Sequence, residues 1–245
     1  MNLDWPVHEA VRAFCSERAG GVSAPPCDSL NLGDHVGDDE AAVQENRRRY
    51  AATLQARPVF LKQVHGQGAV RLVAGTPDMT EADACWTTER GLACTMMVAD
   101  CLPVLLADAR GTVVGAAHCG WRGLAGGVLE ALWTQMAPAA QAAQHMRAWL
   151  GPCIGPDAFE VGPEVRASFL AHDASCADLF RPHAEGKFLA DLPALARRRL
   201  AALGIAAIHG NDGSRGWCTV SNPSRFFSHR RDRVSGRFAA SVWLA

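Results

Sequence analysis

Five short apolar runs in the middle of the chain, each stopped near a Gly-, Asp- or Pro-bearing turn, constrain the fold more than any other feature. They cover residues 59–64, 92–98, 103–107, 112–117 and 148–150. Runs of this length bounded by turn residues read as strands. Helical periodicity appears elsewhere. Asp38 or Asp39 is placed to cap a helix running to about Leu54, with Arg47-Arg48-Arg49 on its exposed side. Residues 123–136 carry Leu124, Val128, Leu129, Leu132, Trp133 and Met136 at helical spacing. Helices are also expected near 163–171 and 193–203, and strands at 205–209 and 238–244. Strands that follow one another as hairpin-like neighbours, and elsewhere alternate with helices, describe a mixed sheet. The expected class is α/β, a layered α+β domain rather than a regular βαβ series. Residues 20–33 are rich in Gly and Pro and read as loop. With 245 residues and no long linker, repeat or low-complexity tract, one domain over 1–245 is expected.

Composition narrows the function classes. Hydrophobic residues make up 49% and charged residues 20%, with a net charge of -1. No Lys/Arg block dominates, which argues against nucleic acid or an anionic membrane surface as partner. No stretch approaches the roughly 18 to 20 apolar residues of a membrane helix. The first residues lack a basic segment followed by an apolar one, so no signal peptide is read and a cytoplasmic location is expected. The nine cysteines are odd in number and form no CxxC. They read as reduced thiols rather than a disulfide framework. No obligate protein partner is evident.

Three residues near the ends of the apolar runs carry the chemistry: His65, Cys101 and His118. Two imidazoles and a thiolate make a three-ligand zinc site with an open fourth position, which is the catalytic pattern. Their separations of 36 and 17 positions include no local ligand pair, so spacing alone does not decide the matter. The plain alternative is two satisfied histidines and a small buried thiol. A metal-free alternative pairs Cys101 as nucleophile with His118 or His65 as base. Asp100, beside Cys101, opposes a thiolate but is placed to orient a ligand or handle a proton. Gly120-Trp121-Arg122-Gly123 opens the helix after His118, where N–H groups and Arg122 suit a phosphate, or where the glycines only allow a tight turn. Phe226-Phe227-Ser228-His229-Arg230-Arg231-Asp232 would stack a base and hold an anion, or pack as an ordinary loop. Cys119 and Cys153 read as non-ligands.

These motifs, taken together, match a family. Ser29-Leu30-Asn31-Leu32-Gly33, Gln63-Val64-His65-Gly66 and Ala99-Asp100-Cys101-Leu102-Pro103-Val104 come first. Ala117-His118-Cys119-Gly120-Trp121-Arg122-Gly123, Leu150-Gly151-Pro152-Cys153-Ile154-Gly155-Pro156 and Phe159-Glu160-Val161-Gly162 follow. The 226–232 segment and Gly236-Arg237 close the series. In this order, across residues 18–244, the chain resembles the YfiH-like, laccase-domain family of purine nucleoside phosphorylases, formerly labelled multicopper polyphenol oxidases. The resemblance implies a YfiH-like fold and His65, Cys101 and His118 as zinc-binding catalytic residues; Asp100, from its place beside Cys101, is expected to move protons. It implies phosphorolysis of adenosine, inosine, guanosine and S-methyl-5′-thioadenosine, and deamination of adenosine. Purine nucleosides and phosphate are the expected partners. Arg122, Arg230 and Asn31 are the expected contacts to substrate or phosphate.

Three other functions compete. A copper-dependent polyphenol oxidase needs several copper sites, yet the chain has nine scattered histidines and no HxH pair. A single copper replacing zinc at the three ligands is compatible with metal preference. A cysteine-type amidohydrolase in cell-wall precursor editing would keep Cys101 and His118 and work without metal. A metal-buffering protein would bind metal and turn nothing over.

Overall fold

In the computed structural model, residues 1, 3–140 and 142–245 are described. The chain begins with β1 (Val11–Cys15), α1 (Glu40–Leu54), β2 (Arg57–Phe60), β3 (Ala69–Arg71) and β4 (Ala84–Thr87). β5 (Leu92–Val98), β6 (Leu102–Asp108) and β7 (Val114–Cys119) follow, then α2 (Trp121–Gly126), α3 (Val128–Met136) and β8 (Met146–Leu150). The last part holds β9 (Glu160–Val161), α4 (Pro163–Leu170), β10 (Phe180–Pro182), β11 (Phe188–Ala190), α5 (Leu192–Ala202), β12 (Ala207–Gly210), α6 (His229–Asp232) and β13 (Phe238–Leu244).

A four-stranded sheet in the order β1-β13-β5-β2 packs on a six-stranded sheet in the order β12-β8-β6-β7-β4-β3. Both sheets mix parallel and antiparallel pairs. Strand periodicity of two sorts their side chains into three cores. In β6, Leu105 and Ala107 face the four-stranded sheet, whereas Leu102, Val104 and Leu106 face α2, α3 and α5. In β5, Cys94, Met96 and Val98 point between the sheets, and Ala93 and Met97 point toward Tyr50 and Leu54 of α1. The result is four layers, α1, sheet, sheet, then helices. Because both faces of β5, β6 and β7 are covered, all their residues are buried. That is why they read as continuous apolar runs rather than alternating ones. The mixed α/β layered class agrees with the expectation.

Several elements fall where the sequence places them. Asp39 caps α1, its carboxylate accepting from the Ala42 N–H at 2.8 Å. α4, α5 and β12 lie within two residues of their expected bounds, and β13 matches. Three expectations need correction. The helix over 123–136 is two helices, broken at Gly127 with φ 103°, a left-handed conformation that favours glycine. The strand over 59–64 stops at Phe60. The backbone N–H groups of Val64, His65 and Gly66 are taken instead by the Asp83 carboxylate. Arg47 is not on an exposed face. Its side chain is 12% exposed, pairs with Asp34 at 3.1 Å and lies 4.3 Å over the Phe60 ring. Arg48 and Arg49 do point outward, onto Glu45. Among the described residues no helix is long and apolar enough to cross a membrane.

Candidate active site

The two-sheet architecture delivers three side chains to one point. Cys101 lies in the tight turn between β5 and β6, where Asp100 adopts φ 90°. His118 is the penultimate residue of β7, paired in register with Pro103 of β6. His65 comes from the loop after β2, with φ 61°. One donor atom from each of the three lies within 4.8 Å of the other two. The Cys101 Sγ to His65 Nε2 distance is 3.7 Å, and the two imidazole rings meet edge to face at 4.7 Å between centroids. A tetrahedral zinc bound at standard lengths needs such donors about 3.3–3.6 Å apart, so small side-chain adjustments suffice.

Asp83, fully buried just before β4, organises this group. Its Oδ1 accepts from His118 Nδ1 at 2.8 Å and from the His65 N–H at 2.9 Å. Its Oδ2 accepts from the N–H groups of Val64 and Gly66 at 3.1 and 2.7 Å. Its backbone carbonyl accepts the His118 N–H at 2.7 Å. With a proton on Nδ1, Nε2 of His118 is the atom left for a metal. Gln63 clamps the other end of the His65 loop, its amide exchanging two bonds of 2.9 Å with the Met97 backbone. Gly120 leaves room for the cluster. A Cβ there would meet His65 Cδ2 at 2.9 Å and Cys101 Sγ at 3.0 Å.

The electrostatics follow from this packing. Burial pushes the Cys101 thiol up, but the charge of His118 and the hydrogen bonds from His118 and His65 outweigh it. The thiol falls to about 6. For His118, burial favours the neutral ring. The Cys101 thiolate and the Asp83 hydrogen bond win and raise it to about 9. Asp83 itself is driven up by burial and down by His118 and the backbone N–H groups, with a net shift downward. Without metal the group is therefore a thiolate–imidazolium pair. The donors, two nitrogens and a ready thiolate with a carboxylate behind one ring, fit a zinc ion.

The cluster opens into a cavity of about 430 Å³, within the size range of small-molecule sites, about 300–1,000 Å³. Met97, Ile154, Trp121, Phe159 and Leu192 supply apolar wall. Asp100, His35, His229, Arg230, Arg233 and Arg237 supply polar wall.

Comparison with known proteins agrees with this architecture. Residues 12–245 match the family described as multi-copper polyphenol oxidoreductase laccase. The chain is 51% identical over 246 residues to the Pseudomonas aeruginosa protein named purine nucleoside phosphorylase PA4543, spanning 100% of this chain and 98% of that one. It is 47% identical over 242 residues to the Escherichia coli protein named purine nucleoside phosphorylase YfiH, spanning 98% and 96%. The chain belongs to this laccase-domain, YfiH-type family. Among solved structures, Neisseria meningitidis protein NMB0706 is similar with a TM-score of 0.91 at 43% identity, covering 100% of this chain and 98% of that one. YlmD from Geobacillus stearothermophilus is similar with a TM-score of 0.88 at 30% identity, covering 99% and 95%.

In this YfiH-type structure the expected site residues separate into those that reach the cavity and those that do not. His65, Cys101, His118, Asp100 and Arg230 line it. The Asp100 carboxylate accepts from Thr219 Oγ1 and from the Arg230 N–H, both at 2.6 Å. Arg122 does not line it. Its guanidinium lies 4.4 Å over the Trp121 ring on the exposed side of α2. The helix N-terminus is at Trp121, so Gly123 sits inside α2 rather than at its start. Asn31 is wholly buried, with its amide spent on Gly33, Asp38 and the Arg237 N–H. Phe226 and Phe227 are buried and present no ring for stacking a base. Cys119 and Cys153 are buried in the helix-side core and lie outside the ligand group.

Sequence reasoning missed Asp83, and it placed Gln63 and Arg237 within motifs without giving them a role. Asp83 had one signal, an acid between Ala82 and Ala84 at the head of an apolar segment. A carboxylate in such a setting is buried and paired, or it is not there.

Proposed function

We propose that this chain is a zinc-dependent purine nucleoside phosphorylase acting on adenosine, inosine, guanosine and S-methyl-5′-thioadenosine, and that it also deaminates adenosine. One observation carries the reading. The oriented His65, Cys101 and His118 group forms the wall of a cavity that is apolar on one side and cationic on another. The names of the Pseudomonas and Escherichia relatives support it. When bound at these three residues, zinc supplies Lewis-acid stabilisation of developing negative charge. Trp121, Ile154 and Phe159 offer flat and apolar surface to the purine. Arg230 faces the anionic reactant.

In phosphorolysis a phosphate oxygen bonds to ribose C1′ as the C1′–N9 bond breaks. The bonding pair leaves with the base, and the proton of hydrogenphosphate ends on the base. In deamination a water adds at purine C6 and ammonia leaves. Asp100 is assigned the proton transfers, because it is the carboxylate of the cavity wall and not one of the three clustered ligands. Copper would occupy the same donors more tightly than zinc. A laccase reaction needs further copper sites, and among the described residues only one such ligand group exists. The reading also puts the enzyme in the cytoplasm, with no nucleic-acid, membrane or obligate protein partner. All nine cysteines are free thiols, which supports a reducing compartment.

A second reading, a cysteine amidohydrolase, is favoured by the order of Cys101, His118 and Asp83. They stand as nucleophile, base and orienting acid. Incubation of metal-analysed protein with adenosine, inosine and methylthioadenosine, with and without phosphate, separates the two. Phosphate-dependent release of free base, lost in Cys101→Ala and accompanied by about one zinc per chain, is the expected result. Inosine formed from adenosine without phosphate adds the deaminase. Amide hydrolysis that survives chelation, with no base released, would establish the second reading instead.

A further inference from the structure

Two sequence motifs stay unused by the functional reading, Asn31-Leu32-Gly33 near the start and Gly236-Arg237 near the end. The structure joins them. The Arg237 N–H donates to Asn31 Oδ1 at 2.8 Å, and the Leu32 N–H donates to the Arg237 carbonyl at 2.9 Å. Asn31 is held in turn by Gly33, whose N–H donates to Oδ1 at 2.9 Å and whose carbonyl accepts from Nδ2 at 3.0 Å. A Cβ on Gly33 would stand 2.8 Å from Arg237 Cγ, so the glycine clears the path of the arginine side chain. Arg237 Nη1 is then tethered to the Ser235 and Gly236 carbonyls at 2.8 and 3.1 Å. This is an elaborate mount for a cation that lines the cavity.

The mount ends in an unbalanced charge. Arg230, Arg233 and Arg237 all line the cavity, and among the described residues none has a carboxylate within salt-bridge distance. Asp100 is the one carboxylate among the residues lining the cavity, set against three guanidinium groups, and its oxygens accept from Thr219 and from the Arg230 N–H. Arg237 is partly buried, and burial works against its charge more than the more distant charges of Cys101, Asp100 and Cys27 support it, so its net shift is downward. That charge also reaches His35 across the cavity wall, where, with burial, it holds the ring below the usual histidine range. A half-buried guanidinium with no carboxylate at contact distance gains when an anion arrives to meet it.

We propose that Arg237 is the anchor of a phosphate-binding subsite, with Arg230 and Arg233 as flanking cations. Arg237 presents a planar fork suited to two oxygens of a tetrahedral dianion. The subsite shares the cavity with the His65, Cys101 and His118 group, so bound phosphate and the reacting nucleoside are brought together. Asn31 and Gly33 act on the anion through Arg237 and touch nothing in the cavity themselves. The inference rests on the phosphorylase reading for its consequence in turnover, but not for the binding itself.

The test uses zinc-loaded full-length protein, as wild type, Arg237→Gln and Arg237→Lys. Phosphate at fixed ionic strength, balanced with chloride, is titrated while the melting temperature is followed. Phosphorolysis of inosine is measured in parallel. The expected result is a phosphate-dependent rise in melting temperature in wild type that Arg237→Gln loses. KM for phosphate should rise tenfold or more in Arg237→Gln and less in Arg237→Lys, with KM for inosine within about threefold, as expected when one charge-assisted contact is removed. If Arg237→Gln fails to fold, Arg237→Lys alone decides, through the same split between the two KM values. An unchanged phosphate response in a folded variant overturns the proposal. A phosphate carried on a nucleotide shares this chemistry, so inosine monophosphate is run as a third titrant. Stabilisation by the nucleotide and not by phosphate also overturns it. Wild type that binds phosphate through Arg237 but releases no base would sink the phosphorylase reading and leave the subsite standing.

Discussion

The two walls of the cavity are built by opposite means. The wall of His65, Cys101 and His118 is fixed by satisfied hydrogen bonds that converge on the buried Asp83. Asp83 accepts four of them with its carboxylate, two on each oxygen. The wall of Arg230, Arg233 and Arg237 sets three cations against the single carboxylate of Asp100, with no salt bridge to any of the three among the described residues. The first is complete without substrate, as preorganised metal ligands should be. The second is complete only with an anion. The difference teaches where each reactant belongs, and it can be tested one wall at a time.

The largest break is expected at Asp83. In Asp83→Asn one carboxylate oxygen becomes an NH₂ group, so two of the four donors lose their acceptor and face another donor. Either His118 and His65 or the Val64 and Gly66 pair is left unsatisfied. Removing such an outer partner of a metal ligand typically costs 10–100-fold in metal affinity. A fully buried donor left bare costs about 1–3 kcal/mol in stability, a range that applies to His118 and is an upper bound for the part-buried N–H groups of Val64, His65 and Gly66. Competition with a chromophoric chelator should therefore show zinc binding weakened at the upper end of that range, with a lowered melting temperature. Wild-type zinc affinity in Asp83→Asn would mean the ligand wall does not depend on this carboxylate.

A second experiment sharpens the contrast in charge. In zinc-free protein Cys101 is held near 6, against 9 for an unperturbed thiol, so it is mostly thiolate at neutral pH. Its alkylation by iodoacetamide should rise as pH passes about 6 and level off before pH 9. The other eight cysteines are buried, so peptide mapping isolates the site. His118→Ala removes the cation that opposes burial, and desolvation then pushes the thiol up. The midpoint should move upward by a unit or more in the variant. A wild-type midpoint near 9 would show that the pair does not form.

Much of this was legible in the sequence, and the reasons are local. Cys101 stands in the turn after β5 and His118 near the end of β7, two strands whose burial on both faces gives continuous apolar runs. A polar residue at the end of such a run is conspicuous. His65 was legible as a ligand type but not in its place. The run ahead of it leaves the sheet at Phe60, because a side chain 17 to 19 residues away takes the backbone donors. Asp83 acts through tertiary contacts that no periodicity encodes. Gly127 reads as one more glycine in a helical pattern, and only its positive φ shows that it divides α2 from α3. For Phe226 and Phe227 the sequence leaves base stacking and loop packing open, and the structure decides for packing, with Phe226 against Phe238 and Phe227 under Arg18. Arg237 escaped because its partner, Asn31, lies 206 residues away.

The smallest effect is expected at Arg122, and it tests the boundary of the cationic wall. By its place in the sequence, four residues after His118 and between Gly120 and Gly123, Arg122 has as strong a claim to phosphate as Arg230. The structure lays its guanidinium over the Trp121 ring, and Arg122 itself does not line the cavity. An exposed contact of this kind is worth about 0.5–1 kcal/mol. Arg122→Ala should therefore leave KM for phosphate within about twofold of wild type and lower stability by no more than that contact. Steady-state kinetics beside a thermal melt measure both. If Arg122→Ala instead matched Arg237→Gln in its loss of phosphate response, the anion would have to bind at the mouth of α2. The division of the cavity into a satisfied wall and an unsatisfied one would then be drawn in the wrong place.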